Sequence, residues 1–416
     1  VAFGAAISAC ERGEEWQGAL ELLREMHAAG LRPSLIAHSA AISACEKGAQ
    51  WELSLGLFSQ MRARSMNPDA IAYNASLSAC AKGKHWARAL SLFSEMQARG
   101  VRASLVTYNA TVSAFARGEQ WQQALSLAAG MLGRCLAHDV ITCNALISAC
   151  EKGEQWERAC RILAEMRWKR IDPDVISYSA ALSACEKGHQ WAQALWLLPE
   201  MRQHGLRPSV VTYNASVSAC EKGQQWRRAL GLLGEMLRRG LEPDVFTCSG
   251  LMSACAMGQQ WQQALRLLSD VHQGGIRANV VTYGAGISAC EQGWQWAAAL
   301  RLLTSLPRSS LQPNVVTNSA AIGACEKAGE WLRAADMLEC LLQCGLEPSA
   351  VTYLAPLSAR KWDNQWQRAL RLLGDMLRRG LAPSEKCYGA AMSACQTAQQ
   401  WRPAVRLLGE LVRSSP

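Results

Sequence analysis

Residues 218–226 read S-A-C-E-K-G-Q-Q-W, which puts a thiol, an acid, a base and an indole within nine positions. By residue type, Cys220 could serve redox or soft-metal chemistry, and Trp226 could stack on a planar ligand. Spacing argues against the metal and disulfide readings. The chain holds 17 cysteines, yet none forms a C-x-x-C pair and none joins histidines at zinc-finger spacing. Ten of them recur every 35 residues instead: Cys10, Cys45, Cys80, Cys150, Cys185, Cys220, Cys255, Cys290, Cys325 and Cys395, with Phe115 and Arg360 in the two remaining places. Trp16, Trp51, Trp86, Trp121, Trp156, Trp191, Trp226, Trp261, Trp296, Trp331, Trp366 and Trp401 keep the same interval without an insertion or deletion. The stretch is therefore one turn of a repeat. Its cysteine is expected to be a small buried residue where helices cross closely, and its tryptophan a core residue.

The repeat must be built from helices. Take residues 210–244, "VVTYNASVSACEKGQQWRRALGLLGEMLRRGLEPD", as positions 1 to 35. Tyr213, Val217 and Cys220 fall on one face of a first helix. Trp226, Ala229, Leu230, Leu233, Met236 and Leu237 form the stripe of a second. Gly223 stands between them and is expected to end the first helix with positive φ; Gly240 does the same for the second. Pro243 blocks continuation, and Thr212 offers an N-cap to the first helix. One such hairpin cannot bury both stripes, but stacked neighbours can. The expected fold is all-α: a right-handed α-solenoid superhelix of about twelve helix-turn-helix repeats, filling 1–416 as a single array. Repeats start near 35, 70, 105, 140, 175, 210, 245, 280, 315, 350 and 385, with partial first and last units. In the eleventh repeat Pro356 falls inside the first helix, and Leu354, Arg360 and Trp362 break the pattern, so a kink or loose cap is expected near 350–365.

Bulk properties agree with a folded, water-facing chain. Half the residues are hydrophobic, and no stretch approaches 18 uncharged apolar residues, which excludes a spanning helix. A net charge of +9 permits an anionic partner without demanding one. The chain opens on Val1 inside a repeat, as a piece of a longer protein would, and shows no targeting segment.

A 35-residue two-helix unit with "LVTYNATVSA" (105–114), "VISYSAALSA" (175–184), "VVTYNASVSA" (210–219) and "VVTYGAGISA" (280–289) at its start, "AL-LL-EM…RG" in its second helix and "PD" at its end resembles the pentatricopeptide repeat family. The resemblance covers essentially the whole chain and fits the class built purely of 35-residue units. One departure is plain: the family usually has a smaller aliphatic residue at position 17, where this chain has tryptophan throughout.

The resemblance implies single-stranded RNA binding, about one nucleotide per repeat, on the face made by the first helices. Base identity would be read by positions 5 and 35. In repeats 2 to 8 these are Ser39 with Asp69, Asn74 with Ser104, Asn109 with Asp139, Asn144 with Asp174, Ser179 with Ser209, Asn214 with Asp244 and Ser249 with Asn279. Asn314 and Ser319 occupy code places in repeats 9 and 10, to which no base is assigned. Short donors and acceptors at a helix start suit this role, and they also suit simple capping. The family's code assigns G to repeat 2, a pyrimidine (C favoured) to repeat 3, U to repeats 4, 5 and 7, a purine to repeat 6 and A to repeat 8, or 5′-G-C-U-U-R-U-A-3′ running parallel to the chain. Position 2 would sandwich the bases: Ile36, Ile71, Val106, Ile141, Ile176, Val211, Phe246 and Val281. An apolar residue there suits core packing equally. Position 13 would meet phosphates through Arg12, Lys47, Lys82, Arg117, Lys152, Lys187, Lys222 and Lys327, although many follow a glutamate that could pair with them locally.

No catalytic or metal motif interrupts the repeats, so no cofactor and no enzymatic activity are expected within this segment. The family resemblance implies a mitochondrial or plastid location, a role in organellar RNA processing, stability, editing or translation, and RNA-processing proteins as further partners. A protein-binding scaffold, or the binding arm of a longer RNA-processing enzyme, is the alternative.

Overall fold

The computed structural model describes residues 2–397 except 32, 65, 134–135, 274–276, 344–346 and 358–365. The described residues form 23 α-helices, one short 3-10 turn at Pro307–Ser309 and no strand. By their internal contacts they group into two compact units, Val1–Pro208 and Ser209–Pro416. Both units are stacks of helix-turn-helix repeats, which is the α-solenoid architecture. First helices occupy positions 1–13, as in Val140–Lys152 and Val245–Met257, and second helices open on the register tryptophan, as in Trp156–Trp168 and Trp261–Gln273. Within a unit each first helix lies along the next first helix, and each second helix wedges between the first helix of its own repeat and that of the next.

This arrangement explains the two kinds of helix. A first helix is covered on several sides, so it is rich in Ala, Ser and Cys, and Tyr213, Val217 and Cys220 are all buried. The wedge geometry shifts the buried face of the second helix. Ala229, Leu232 and Met236 are buried, whereas Leu237, expected in the stripe, is 55% exposed. The register tryptophans are only half-buried wherever their side chains are described, which corrects the expectation of a core residue.

The turn between the helices also differs from expectation. Gly223 has φ −83°, and the left-handed residue is the next one, Gln224, with φ +56°. Glu154 and Gln259 repeat this at the same position, with φ +56° and +57°. Glycine at position 14 leaves room for the tryptophan of the preceding repeat, although the tenth repeat has Ala328 there. A Cβ on Gly153 would lie 2.2 Å from the Trp121 ring of the preceding repeat, and one on Gly258 would lie 2.2 Å from Trp226. Gly240 does end its helix at φ +70°, as expected.

Caps set the register of the first helices. The N-cap is position 35, and its side chain accepts from the amide at position 3. Thr212, expected as the cap, sits at the third helical position. There it accepts the Ser209 amide at 2.8 Å and completes a capping box. In the eleventh repeat the first helix is described only as Ala350–Leu357, with Pro356 inside it; Arg360 and Trp362 lie outside the described residues.

Candidate nucleic-acid interface

Capping and the expected reading role turn out to share the same residues. The N-cap carboxylate at position 35 is also the partner of position 5, thirty residues earlier. Asn109 Nδ2 donates to both Asp139 oxygens at 3.2 and 3.0 Å. Asn144 meets Asp174 at 3.1 and 3.2 Å, and Asn214 meets Asp244 at 3.1 and 3.0 Å. Ser39 donates its hydroxyl to Asp69 at 3.1 Å. These four pairs are in contact and all have Asp at position 35. A carboxylate only accepts, so its presence fixes which end of the asparagine amide faces it.

Other code residues are tied differently. Ser179 and Ser249 each donate to the carbonyl four residues back, Val175 and Val245, at 2.7 Å. Ser104, Ser209, Asn279 and Asn314 cap their helices. Among the described residues no hydrogen bond joins Asn74 to Ser104 or Ser249 to Asn279. Ser319 instead meets the Thr352 hydroxyl at 2.8 Å.

A third residue, at a position expected only to cap, joins the position 5 asparagine. The position 3 hydroxyl of the following repeat donates to the carbonyl of the position 5 asparagine: Thr107 to Asn74 at 2.7 Å, Ser177 to Asn144 at 2.5 Å, Thr247 to Asn214 at 2.5 Å, and Thr142 to Asn109. These four hydroxyl residues are all buried. Their recurrence at one position was the available signal.

The carboxylates are tuned by this surrounding. Partial burial alone would raise the Asp139 pKa. Hydrogen bonds from the Thr142 hydroxyl and amide and from Asn109 outweigh it and hold the group below its ordinary range. Asp174 and Asp244 are lowered in the same way, against the same desolvation, by Ser177 with Asn144 and by Thr247 with Asn214.

Position 2 is resolved as surface. Ile36, Ile71, Val106, Ile141, Ile176, Val211, Phe246 and Val281 are 60–78% exposed, so core packing does not explain them. Single exposed apolar residues are common, but one in the same place of every repeat from 2 to 9 is a pattern, and within each unit it makes an apolar row.

The basic row is partly neutralised, and four of its pairs reach across a repeat boundary. Lys47 pairs with Glu11 at 3.4 Å, Lys82 with Glu46 at 2.9 Å, Lys187 with Glu151 at 3.1 Å and Lys327 with Glu291 at 2.9 Å. Each acid sits at position 12 of the preceding repeat, 36 residues upstream. Arg117 and Lys152 have Ala81 and Ala116 at that place, and neither has an ion pair among the described residues. Partial burial lowers the Lys152 pKa, with Lys84 and Arg117 adding to the repulsion and Glu119 and Glu151 opposing it. Arg12 is exposed, and Lys222, also exposed, holds the same position in its own repeat.

Seven of the repeated cysteines are buried thiols. Burial pushes the thiols of Cys45, Cys80, Cys150, Cys220, Cys255, Cys290 and Cys325 up to about 11. Among the described residues no group of three or more His, Cys, Asp or Glu could hold a metal, and no helix is long and apolar enough to cross a membrane.

Fold and interface together define a helical-repeat protein with a polar residue at position 5 and an exposed apolar residue at position 2 in each of repeats 2 to 8. The chain belongs to the pentatricopeptide repeat family. Residues 2–152 and 60–223 match the model described as the pentacotripeptide-repeat region of PRORP, residues 208–257 match the PPR repeat family, and residues 266–328 match the pentatricopeptide repeat domain. Comparison with curated proteins gives no match. Similar solved structures include the pentatricopeptide repeat protein PPR10 from maize, at 18% identity over 99% of this chain and 78% of that one, with TM-score 0.42. PPR10 in complex with an 18-nt psaJ RNA element matches at 22% identity, TM-score 0.44, over 97% of this chain and 57% of that one. The PPR domain of Arabidopsis thaliana protein-only RNase P 1 in complex with tRNA matches at 17% identity, TM-score 0.37, over 41% and 90%.

Proposed function

We propose that this chain binds single-stranded RNA in a sequence-specific way, one nucleotide per repeat, through positions 5 and 35. The observation that supports it is what the asparagines at 109, 144 and 214 have left to offer. Each spends one amide hydrogen on its aspartate and one carbonyl lone pair on a hydroxyl. One N–H donor and one acceptor lone pair remain. Uracil's pairing edge, a donor between two acceptors, complements that pattern. Ser39 and Asp69 behave differently. With the hydroxyl proton committed to Asp69, the pair can only accept, and guanine's N1–H and N2 amino group are donors. The exposed apolar residue at position 2 of repeats 2 to 9 suits packing against a base face.

Selection of bound RNA from a random single-stranded pool tests binding, code and register together. The expected enrichment is 5′-G-C-U-U-R-U-A-3′, with repeats 2 to 8 running parallel to the RNA. Equal affinity for that sequence and its complement would overturn the code. A second reading makes the chain the binding arm of a longer RNA-processing enzyme; the match to the repeat region of PRORP favours it. Assaying the full-length gene product for cleavage of structured RNA tests that reading, and a product that binds without cleaving would remove it. The proposed location is a mitochondrion or plastid, on family membership alone, and imaging a tagged full-length protein tests it.

A further inference from the structure

We propose that the hydroxyl at position 3 of the following repeat is a third specificity determinant, which holds the position 5 amide in its reading orientation. The inference rests on the RNA-binding reading above. Four consecutive facts carry it. Every position 5 asparagine in repeats 2 to 8 accepts such a hydroxyl: Asn74, Asn109, Asn144 and Asn214. The hydroxyl residues are buried, so water does not substitute for them easily. The one position 5 residue here paired with Asp but not an asparagine, Ser39, is followed by Ala72 at position 3 and sends its own proton to Asp69. The bond also spans 33 residues and crosses a repeat boundary, so the reader of one nucleotide is completed by the next repeat.

The physical need is clear. A primary amide is nearly symmetric in shape, and exchanging its ends swaps donor for acceptor at the ligand edge. At Asn109 two anchors prevent that exchange: Asp139 on the nitrogen and Thr142 on the oxygen. At Asn74 position 35 is Ser104, and Thr107 is the one side-chain hydrogen-bond partner among the described residues. Loss of the hydroxyl should therefore matter more in repeat 3 than in repeat 4.

The test uses the intact chain and four RNAs that differ only at the nucleotide opposite one repeat. The variants are Thr107→Val, Thr142→Val and the hydroxyl-retaining Thr107→Ser and Thr142→Ser. Wild type should prefer its assigned base. Thr142→Val should reduce that preference roughly two- to tenfold at the repeat 4 nucleotide alone, with a larger loss for Thr107→Val at the repeat 3 nucleotide. The serine variants should restore it. A uniform loss of affinity for all four RNAs, or unchanged preference in both valine variants, would overturn the inference while leaving RNA binding intact. Failure of wild type to bind any of the four would instead overturn the RNA-binding reading. Should a valine variant of this pair not fold, Thr247→Val, acting on Asn214, carries the same expectation in the other unit.

Discussion

At the scale of single residues, the aspartates at position 35 serve two structures at once. Asp139 caps its own helix and orients Asn109, and the lowered pKa records both bonds after the burial penalty is overcome. The sign of the pH effect follows. A folded-state pKa below the unfolded value means the stabilisation is fully present above about 3.8 and is lost as pH falls through the lower folded value. Thermal melts taken down to about pH 2 should show Tm dropping below that point. The triple variant Asp139→Asn, Asp174→Asn and Asp244→Asn keeps a capping side chain but removes the titrating groups. Its Tm should therefore depend less on acid, and an unchanged acid slope would show that these carboxylates contribute nothing. Asp139→Ala, which removes the cap as well, should cost about 1 kcal/mol at neutral pH.

At the scale of helices and turns, the tryptophan–glycine contact fixes how repeats stack. The Trp121 ring lies where a Cβ on Gly153 would have to be. Gly153→Ala should destabilise by about 1–3 kcal/mol through overpacking. Trp121→Leu in the same chain should recover much of that loss, so urea melts of the two single variants and the double should be clearly non-additive. Additive losses would mean the contact is not what excludes a side chain. Much of this level was legible in sequence. The two-helix unit, the 35-residue period and the Gly240 terminator followed from spacing and local propensity. The purpose of Gly153 did not, because its reason is a ring 32 residues upstream in another repeat. A glycine at a helix end reads locally as a left-handed terminator, and here Glu154 takes that conformation instead. Thr212 misled in the same way. A hydroxyl near a helix start reads as a cap, while its homologues at position 3 also reach back to the preceding repeat. The exposure of position 2 was equally beyond local reading, since an isoleucine two residues into a helix has the same sequence whether it faces a core or a groove.

At the scale of the whole molecule, the row of position 13 cations is uneven, and its unevenness makes the ionic behaviour of binding predictable. Eight basic residues at about 0.7 counterions each would give a slope of log affinity against log salt near −6 if all were equivalent. They are not equivalent. Lys47, Lys82, Lys187 and Lys327 already face a glutamate of the preceding repeat, so an RNA phosphate must compete with an existing partner. These partly exposed pairs hold little energy, on the order of 0–1 kcal/mol, but each acid also repels the incoming phosphate. Arg117 and Lys152 lack that acid because Ala81 and Ala116 take its place, and Lys84 reinforces the positive field around Lys152. Phosphate contact should concentrate at repeats 4 and 5. The double variant Arg117→Ala and Lys152→Ala should lower the magnitude of the salt slope by about 1.4, while Lys82→Ala with Lys187→Ala should lower it by less than half as much. Conversely, Ala81→Glu with Ala116→Glu should mimic the first variant without removing a cation. Fluorescence anisotropy titrations of one fixed RNA across a salt series measure all four chains. Equal slope changes for the two alanine pairs would mean that phosphate contact is spread evenly along the row and that the inter-repeat glutamates do not shape it.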